Sequence, residues 1–294
     1  MLIARLIADP ATLDTQLDAA SAALAKAGLP LAGAQMLDHC GEVLELMLPS
    51  DDSATLRRVI GEHFTPSDAL IARDAIRVPD LFVSDMDSTM IGQECIDELA
   101  EFAGLKAQVS AITERAMLGQ LDFAAALQER VALLEGLEEA AITTCLETRI
   151  TPTAGARTLV ATLKHLGCRC VLVTGGFHHF ADPVGETIGF ERIVGNRLAV
   201  AEGRLTGALT GAIADAATKE RTLTEELERL GPHALSMAAG DGANDILMIE
   251  AADYGIAYRG KPAARAAADG WIERGDLTSV LKLLGVPRTD WLAA

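Results

Sequence analysis

Three short stretches concentrate side chains able to do chemistry together: Asp85-Met86-Asp87-Ser88-Thr89, Thr174-Gly175-Gly176-Phe177 and Gly240-Asp241-Gly242-Ala243-Asn244-Asp245. Each follows an apolar run, namely Leu81 to Val83, Arg169 to Val173 and Ala234 to Ala239. Carboxylates gathered at such points must be desolvated beside one another, and they repel unless a cation lies among them. An oxygen-only set of Asp85, Asp241 and a backbone carbonyl at Asp87 suits Mg²⁺ better than a thiolate- or imidazole-preferring metal. Beside a cation and a lysine, Asp85 is expected to have a depressed pKa and so to be ionised and able to attack phosphorus. Asp87, two residues on, can protonate a leaving oxygen and then activate water, provided its surroundings raise its pKa relative to Asp85. The Thr174 hydroxyl and Gly175 amide can cradle phosphoryl oxygens before a helix N-terminus, and Lys219 can supply a stabilising point charge.

The elements that must position these groups follow from the hydrophobic pattern. From Arg169 to Ala268, strands alternate with helices, the mark of a parallel sheet with helices on both faces and a ligand at the carboxyl ends of its strands. The expected order is helix 154–166, strand 169–173, helix 177–188, helix 217–230, strand 234–239, helix 244–251, strand 254–257 and helix 262–268. Between Leu81-Phe82-Val83 and this region, residues 91–150 read as helices only, broken at Gly104, Gly119 and Gly136. Such a block after a first strand is expected to be a cap over the pocket. Residues 198–207 read as a surface hairpin. Residues 1–78 show a β-α-β-β-α order, closed by a strand near 69–76, which predicts a ferredoxin-like unit. The expected division is therefore 1–78 and 79–294.

Composition narrows the function classes. The 294 residues include 42 Asp and Glu against 25 Lys and Arg, a formal net charge of -17, so no basic face for nucleic acid is expected. An anionic small substrate stays admissible if local cations overcome the background field. The five cysteines fit buried thiols in a reducing compartment, and no apolar run reaches the roughly 18 residues of a membrane span, so a cytoplasmic location is expected.

The trio Asp-x-Asp-Ser-Thr, Thr-Gly-Gly-Phe and Gly-Asp-Gly-x-Asn-Asp resembles the haloacid-dehalogenase superfamily and, within it, the phosphoserine phosphatase branch. The likeness runs from about residue 80 to 285 and includes Glu94-Cys95-Ile96-Asp97-Glu98-Leu99-Ala100 and Arg130-Val131-Ala132-Leu133-Leu134 in the cap block. It implies an α/β fold, a Rossmann-like parallel sheet with a helical cap inserted after the first core strand. The implied reaction is Mg²⁺-dependent hydrolysis of O-phospho-L-serine through an aspartyl-phosphate, the last step of serine biosynthesis. Another phosphate monoester such as phosphohomoserine, or transfer to an acceptor alcohol, is the alternative. The resemblance further implies Asp85 as nucleophile, Asp87 as acid and base, Asp85, Asp87 and Asp241 at the metal, and Lys219 on the phosphate. Asn244 and Asp245 are supports in that scheme, Glu94 meets the substrate ammonium, Arg130 its carboxylate, and Met117 and Phe123 close the apolar side. Thr174 stands where the family more often has Ser, which keeps the hydroxyl but stiffens χ1. The N-terminal unit resembles an ACT-like regulatory domain, and a homodimer is a candidate assembly.

Plainer readings compete at several of these positions. Lys219 lies between Thr218 and Glu220 on a polar helical stretch, Arg130 has Glu129 and Glu135 nearby for surface pairing, and Glu94 could merely start a helix. His178 and His179 fit structural roles at a helix start. A ligand-sensing module with a relic phosphatase domain is the reading from a different class.

Overall fold

In the computed structural model the described residues are 1–37, 39–40, 42–117 and 120–293, with Met117 described by its backbone alone. The chain begins with β1 (Leu2–Ile7), α1 (Leu13–Lys26), β2 (Gly33–Met36), β3 (Leu44–Leu48), α2 (Ser53–His63) and β4 (Asp68–Ala72). Alternation places Leu2, Ala4 and Leu6 of β1 on one face, where they pack with Leu24 of α1 and Leu56, Val59 and Ile60 of α2. Helix α2 starts where the Asp52 carboxylate accepts the Thr55 amide at 3.0 Å, satisfying one of the orphan donors of its first turn. The four strands lie in the order β2-β3-β1-β4, all antiparallel.

The core follows: β5 (Leu81–Ser84), the cap helices α3 (Cys95–Phe102), α4 (Lys106–Met117), α5 (Phe123–Ala132) and α6 (Ala140–Arg149), then α7 (Ala156–His165), β6 (Arg169–Phe177), α8 (His178–Ile188) and β7 (Arg192–Asn196). A hairpin, β8 (Leu198–Ala201) and β9 (Arg204–Leu209), leads to α9 (Ala216–Leu230), β10 (Ser236–Gly240), α10 (Ile246–Ala251), β11 (Tyr254–Tyr258), α11 (Pro262–Ala267), β12 (Gly270–Ile272) and α12 (Thr278–Leu283). Strands β12-β11-β10-β5-β6-β7 are mutually parallel. Apart from the edge strand β7, their apolar residues are buried on both faces, as a covered parallel sheet requires. Leu81, Val83, Val171 and Val173 pack with Leu223 and Met248 of α9 and α10, while Phe82, Cys170 and Leu172 join the cluster of Leu159, Leu163 and Phe180 from α7 and α8.

Two strands escape the sequence pattern. The edge strand β7 is half-buried and contains Gly195, so it shows neither a continuous apolar run nor clean alternation. Strand β12 has three residues and opens with Gly270, where a Cβ would stand 2.6 Å from the Ala69 carbonyl of the neighbouring strand. That close approach is why glycine interrupts a strand there. The hairpin also differs from expectation: Leu198 and Leu205 are buried, and Leu205 exchanges backbone hydrogen bonds with the cap at Gly136 and Leu137.

Strand β4 pairs antiparallel with β12, so the N-terminal strands and the core form a single ten-stranded sheet. Asp68, fully buried on β4, accepts the backbone amides of Glu273, Arg274 and Gly275, and Trp271 of β12 packs inside the N-terminal cluster. All five cysteines are free thiols, four of them buried. No helix among the described residues is long and apolar enough to cross a membrane.

Candidate active site

Strands β5, β6 and β10 end side by side, and their ends deliver the three motifs to one place. Register sets Ser84 opposite both Ala239 and Leu172, and the Asp85 amide donates to the Ala239 carbonyl at 2.9 Å. Asp85, Asp241 and Asp245 each offer a carboxylate oxygen within 4.8 Å of the others, all three buried. Lys219, from the first turns of α9, is 1% exposed; its Nζ donates to Asp245 Oδ1 at 2.6 Å and lies 2.6 Å from Asp85 Oδ1. The solvated-face reading of Lys219 therefore fails: two buried carboxylates and burial depth fix its position.

Among the protein groups alone, burial pushes the Asp85 carboxyl well up, with the Asp245 carboxylate adding to the rise and Lys219 opposing it; the expected depression requires the cation as well as the lysine. Burial outweighs one ammonium shared between two carboxylates. Asp87 is raised as well: burial, reinforced by Glu94, lifts it to about 7.

Asp245 and Asp241 divide the work at the end of β10. Asp245 Oδ2 accepts the amides of Asp241 and Gly242 at 3.1 and 3.0 Å, and Oδ1 is taken by Lys219, so both of its oxygens are committed to holding the loop. Gly240 is required here, because a Cβ would stand 2.3 Å from the Asp245 carboxyl carbon. Asp241 Oδ2 meets only Lys261 Nζ, at 3.0 Å, at the end of β11. Asn244 lies beside the same loop, its Oδ1 where a Cβ on Gly242 would be 2.6 Å away. Asp85 and Asp241 thus present a hard-oxygen pair, with one ammonium shared between Asp85 and Asp245, which fits a divalent cation.

Beside the carboxylates, Thr174 is buried and its Oγ1 accepts the Gly176 amide at 2.9 Å, shaping the turn. Asn196, at the end of β7, pins this turn: Nδ2 donates to the Gly175 carbonyl at 2.8 Å and to the Ala214 carbonyl at 3.3 Å, while Oδ1 accepts the Ala214 amide at 2.8 Å. One buried amide thereby ties the phosphate-side turn to the segment leading into α9 and Lys219. Neither Asn196 nor Lys261 emerged from the sequence. Asn196 follows only Ile193-Val194-Gly195, a run too short and too exposed to stand out as the end of a strand.

The cap brings its own groups over these strand ends. Phe123 begins α5 and sits close enough to Gly175 that a Cβ there would be 3.1 Å from Phe123 Cζ. Arg130, on the same helix, is half-buried; its Nε donates to the Ala126 carbonyl, and it forms no ion pair among the described residues. Glu129, its proposed surface partner, pairs with Arg115 instead, at 2.7 Å. Desolvation lowers the Arg130 pKa, while Asp97, Glu94 and Asp87 oppose the shift, which locates its guanidinium within their field. Glu94 directly precedes α3 but makes no capping bond; its Oε1 accepts the Ser88 hydroxyl at 2.8 Å. The Met117 side chain lies outside the described residues, and His178 bonds Asp182 within its own helix.

A cluster of strand-end carboxylates and a buried lysine thus lies under a helical cap at the carboxyl ends of a parallel sheet, where open α/β folds bind their ligands. The chain belongs to the haloacid dehalogenase-like hydrolase family, whose model matches residues 82–250. A curated relative, phosphoserine phosphatase SerB2 of Mycobacterium tuberculosis, is 43% identical over 221 residues, covering 75% of this chain and 54% of the relative. The chain therefore spans about half the length of that protein. A HAD family hydrolase from Salmonella enterica subsp. enterica serovar Typhi superposes over 97% of this chain and 99% of its own, with a TM-score of 0.84 and 27% identity. A phosphoserine phosphatase structure described as a phospho-aspartyl intermediate analogue matches 70% of this chain and 99% of its own, with a TM-score of 0.64 and 37% identity.

Proposed function

We propose that the protein hydrolyses O-phospho-L-serine to L-serine and phosphate, with Asp85 as nucleophile. The observation that carries this reading is Arg130: a half-buried guanidinium without an ion-pair partner among the described residues, sharing the site with Glu94. A zwitterionic amino-acid ester asks for one guanidinium for its carboxylate and one carboxylate for its ammonium. Phe123, over Gly175, closes the apolar side. The two phosphoserine phosphatases named above support this substrate.

In the first half-reaction an Asp85 carboxylate oxygen bonds to phosphorus while the bond from phosphorus to the serine oxygen breaks. Asp87, poised near 7, gives its proton to that oxygen. Thr174 and the Gly175 amide hold the phosphoryl oxygens, and Lys219 keeps its charge between Asp85 and Asp245 throughout. Asp87, now ionised, then takes a proton from water as that water attacks phosphorus, releasing phosphate and restoring Asp85. Asp85, Asp241 and a backbone group at Asp87 would hold Mg²⁺, which when bound neutralises charge on the phosphoryl group and keeps Asp85 ionised. Asn244 and Asp245 support this arrangement.

Residues 1–78 are assigned as an ACT-like regulatory unit on the antiparallel order of their strands, and 79–294 as the phosphatase domain with its cap at about 91–150. Phosphate release from phosphoserine, phosphothreonine and a generic aryl phosphate, each with and without Mg²⁺, tests the reading. Preference for phosphoserine that requires the metal supports it; faster turnover of the aryl ester removes the amino-acid assignment.

A further inference from the structure

Ser88 adopts φ 55°, a left-handed conformation that costs a side-chain-bearing residue and that glycine would take freely. Among the described residues it is one of three non-glycine residues with positive φ, and of the three it alone lies between the nucleophile and the cap. Strain of this kind persists where the surroundings over-determine it, and it gathers at functional sites. What glycine would lack is the hydroxyl. Ser88 Oγ donates to Glu94 Oε1 at 2.8 Å, and the Ser88 amide donates to the Gln93 carbonyl at 3.1 Å. The Gln93 side chain in turn accepts the Thr151 amide and donates to the Thr151 hydroxyl, both at 3.0 Å, across the stem where the cap leaves and rejoins the core. Glu94 makes no ion pair among the described residues, and its second oxygen, Oε2, has no protein hydrogen bond there.

We propose that Ser88 is a positioning residue for substrate specificity: its hydroxyl holds one oxygen of Glu94 so that the other is presented to the ammonium of the phosphorylated amino acid. This rests on the phosphoserine reading above. Glutamate has three rotatable side-chain bonds, and a carboxylate left to rotate would give up part of its ammonium contact to conformational entropy. The left-handed turn at Ser88 is what brings a one-carbon hydroxyl from the nucleophile loop within reach of the first cap helix.

The test compares phosphoserine with 3-phosphooxypropanoate, which has the same skeleton without the ammonium. Ser88→Ala removes the hydroxyl, and Ser88→Gly removes it while relieving the backbone strain. Both variants are expected to raise the phosphoserine KM about five- to tenfold with kcat within about twofold, and to leave the deaminated analogue unchanged. Adding Ser88→Ala to Glu94→Gln should cost nothing further. Equal losses on both substrates, an unchanged phosphoserine KM, or recovery of wild-type KM in Ser88→Gly would each overturn the proposal while leaving the reaction assignment intact. Wild-type protein unable to hydrolyse phosphoserine would instead overturn the functional reading, and this proposal with it.

Discussion

Lys219 Nζ stands 2.6 Å from Asp85 Oδ1 and, at the same time, 2.6 Å from Asp245 Oδ1, so one buried ammonium serves two buried carboxylates. Removing it leaves both without a counter-charge, the situation in which a broken buried pair costs most, about 3–5 kcal/mol. Lys219→Ala should therefore lower stability by about that amount and abolish turnover. Chemical denaturation with the chain otherwise intact measures the first effect. A variant as stable as wild type would show that the cluster does not depend on this ammonium.

Replacing Asp85 by Asn keeps the shape of the strand end and removes the nucleophile. Turnover should fall by at least about 10³-fold while the circular dichroism spectrum is retained. Wild-type rates from well-folded Asp85→Asn would move the nucleophile elsewhere.

Arg130 has no ion-pair partner to abandon among the described residues, so Arg130→Ala should scarcely change stability. Its loss should instead raise the phosphoserine KM by about 10- to 100-fold, the scale of a lost charge-assisted contact. If KM is unmoved, the guanidinium does not read the substrate carboxylate.

Asp87 sets a pH dependence whose sign follows from its raised pKa of about 7. As an acid it must hold its proton, so the phosphorylation step should be fast below pH 7 and fall as pH rises through that value. The buried, raised carboxyl also contributes stability at low pH that is lost as pH climbs through the same range. Rapid-mixing measurements of phosphoenzyme formation between pH 5.5 and 8.5 check the first effect; a rate that increases across that window contradicts the assignment of Asp87 as acid.

Crowding of Asp85, Asp241 and Asp245 makes the site a better host when a divalent cation is present. Mg²⁺ at about a hundredfold over its Kd should stabilise the fold by about 2.7 kcal/mol, and a chelator should silence the enzyme reversibly. Thermal unfolding that ignores Mg²⁺, together with chelator-resistant turnover, would remove the metal from the scheme.

Much of this site was legible because apolar strands stop abruptly at polar residues. Leu81-Phe82-Val83 pointed to Asp85, and the run to Ala239 pointed to Asp241. Lys219 was legible only through resemblance: its neighbours are polar, and its burial arises from α9 lying against β5 and β10. Asn196 ends an edge strand whose residues are half-exposed, and Lys261 follows Arg259-Gly260 in what reads as an ordinary turn. That one lysine is shared between Asp85 and Asp245 was not legible at all, because the contact joins residues far apart in the chain.

The seam between β4 and β12 has a consequence for how this chain can be divided. A cut after residue 78 falls in a connecting segment, yet it would strip β12 of its neighbour, bare Trp271 and orphan the three amides that Asp68 receives. Residues 79–294 alone would present an open, sticky edge next to the strands that carry catalysis. In folding terms the N-terminal strands act as the selvedge of the catalytic fabric, and full-length and shortened chains should differ in solubility before they differ in chemistry.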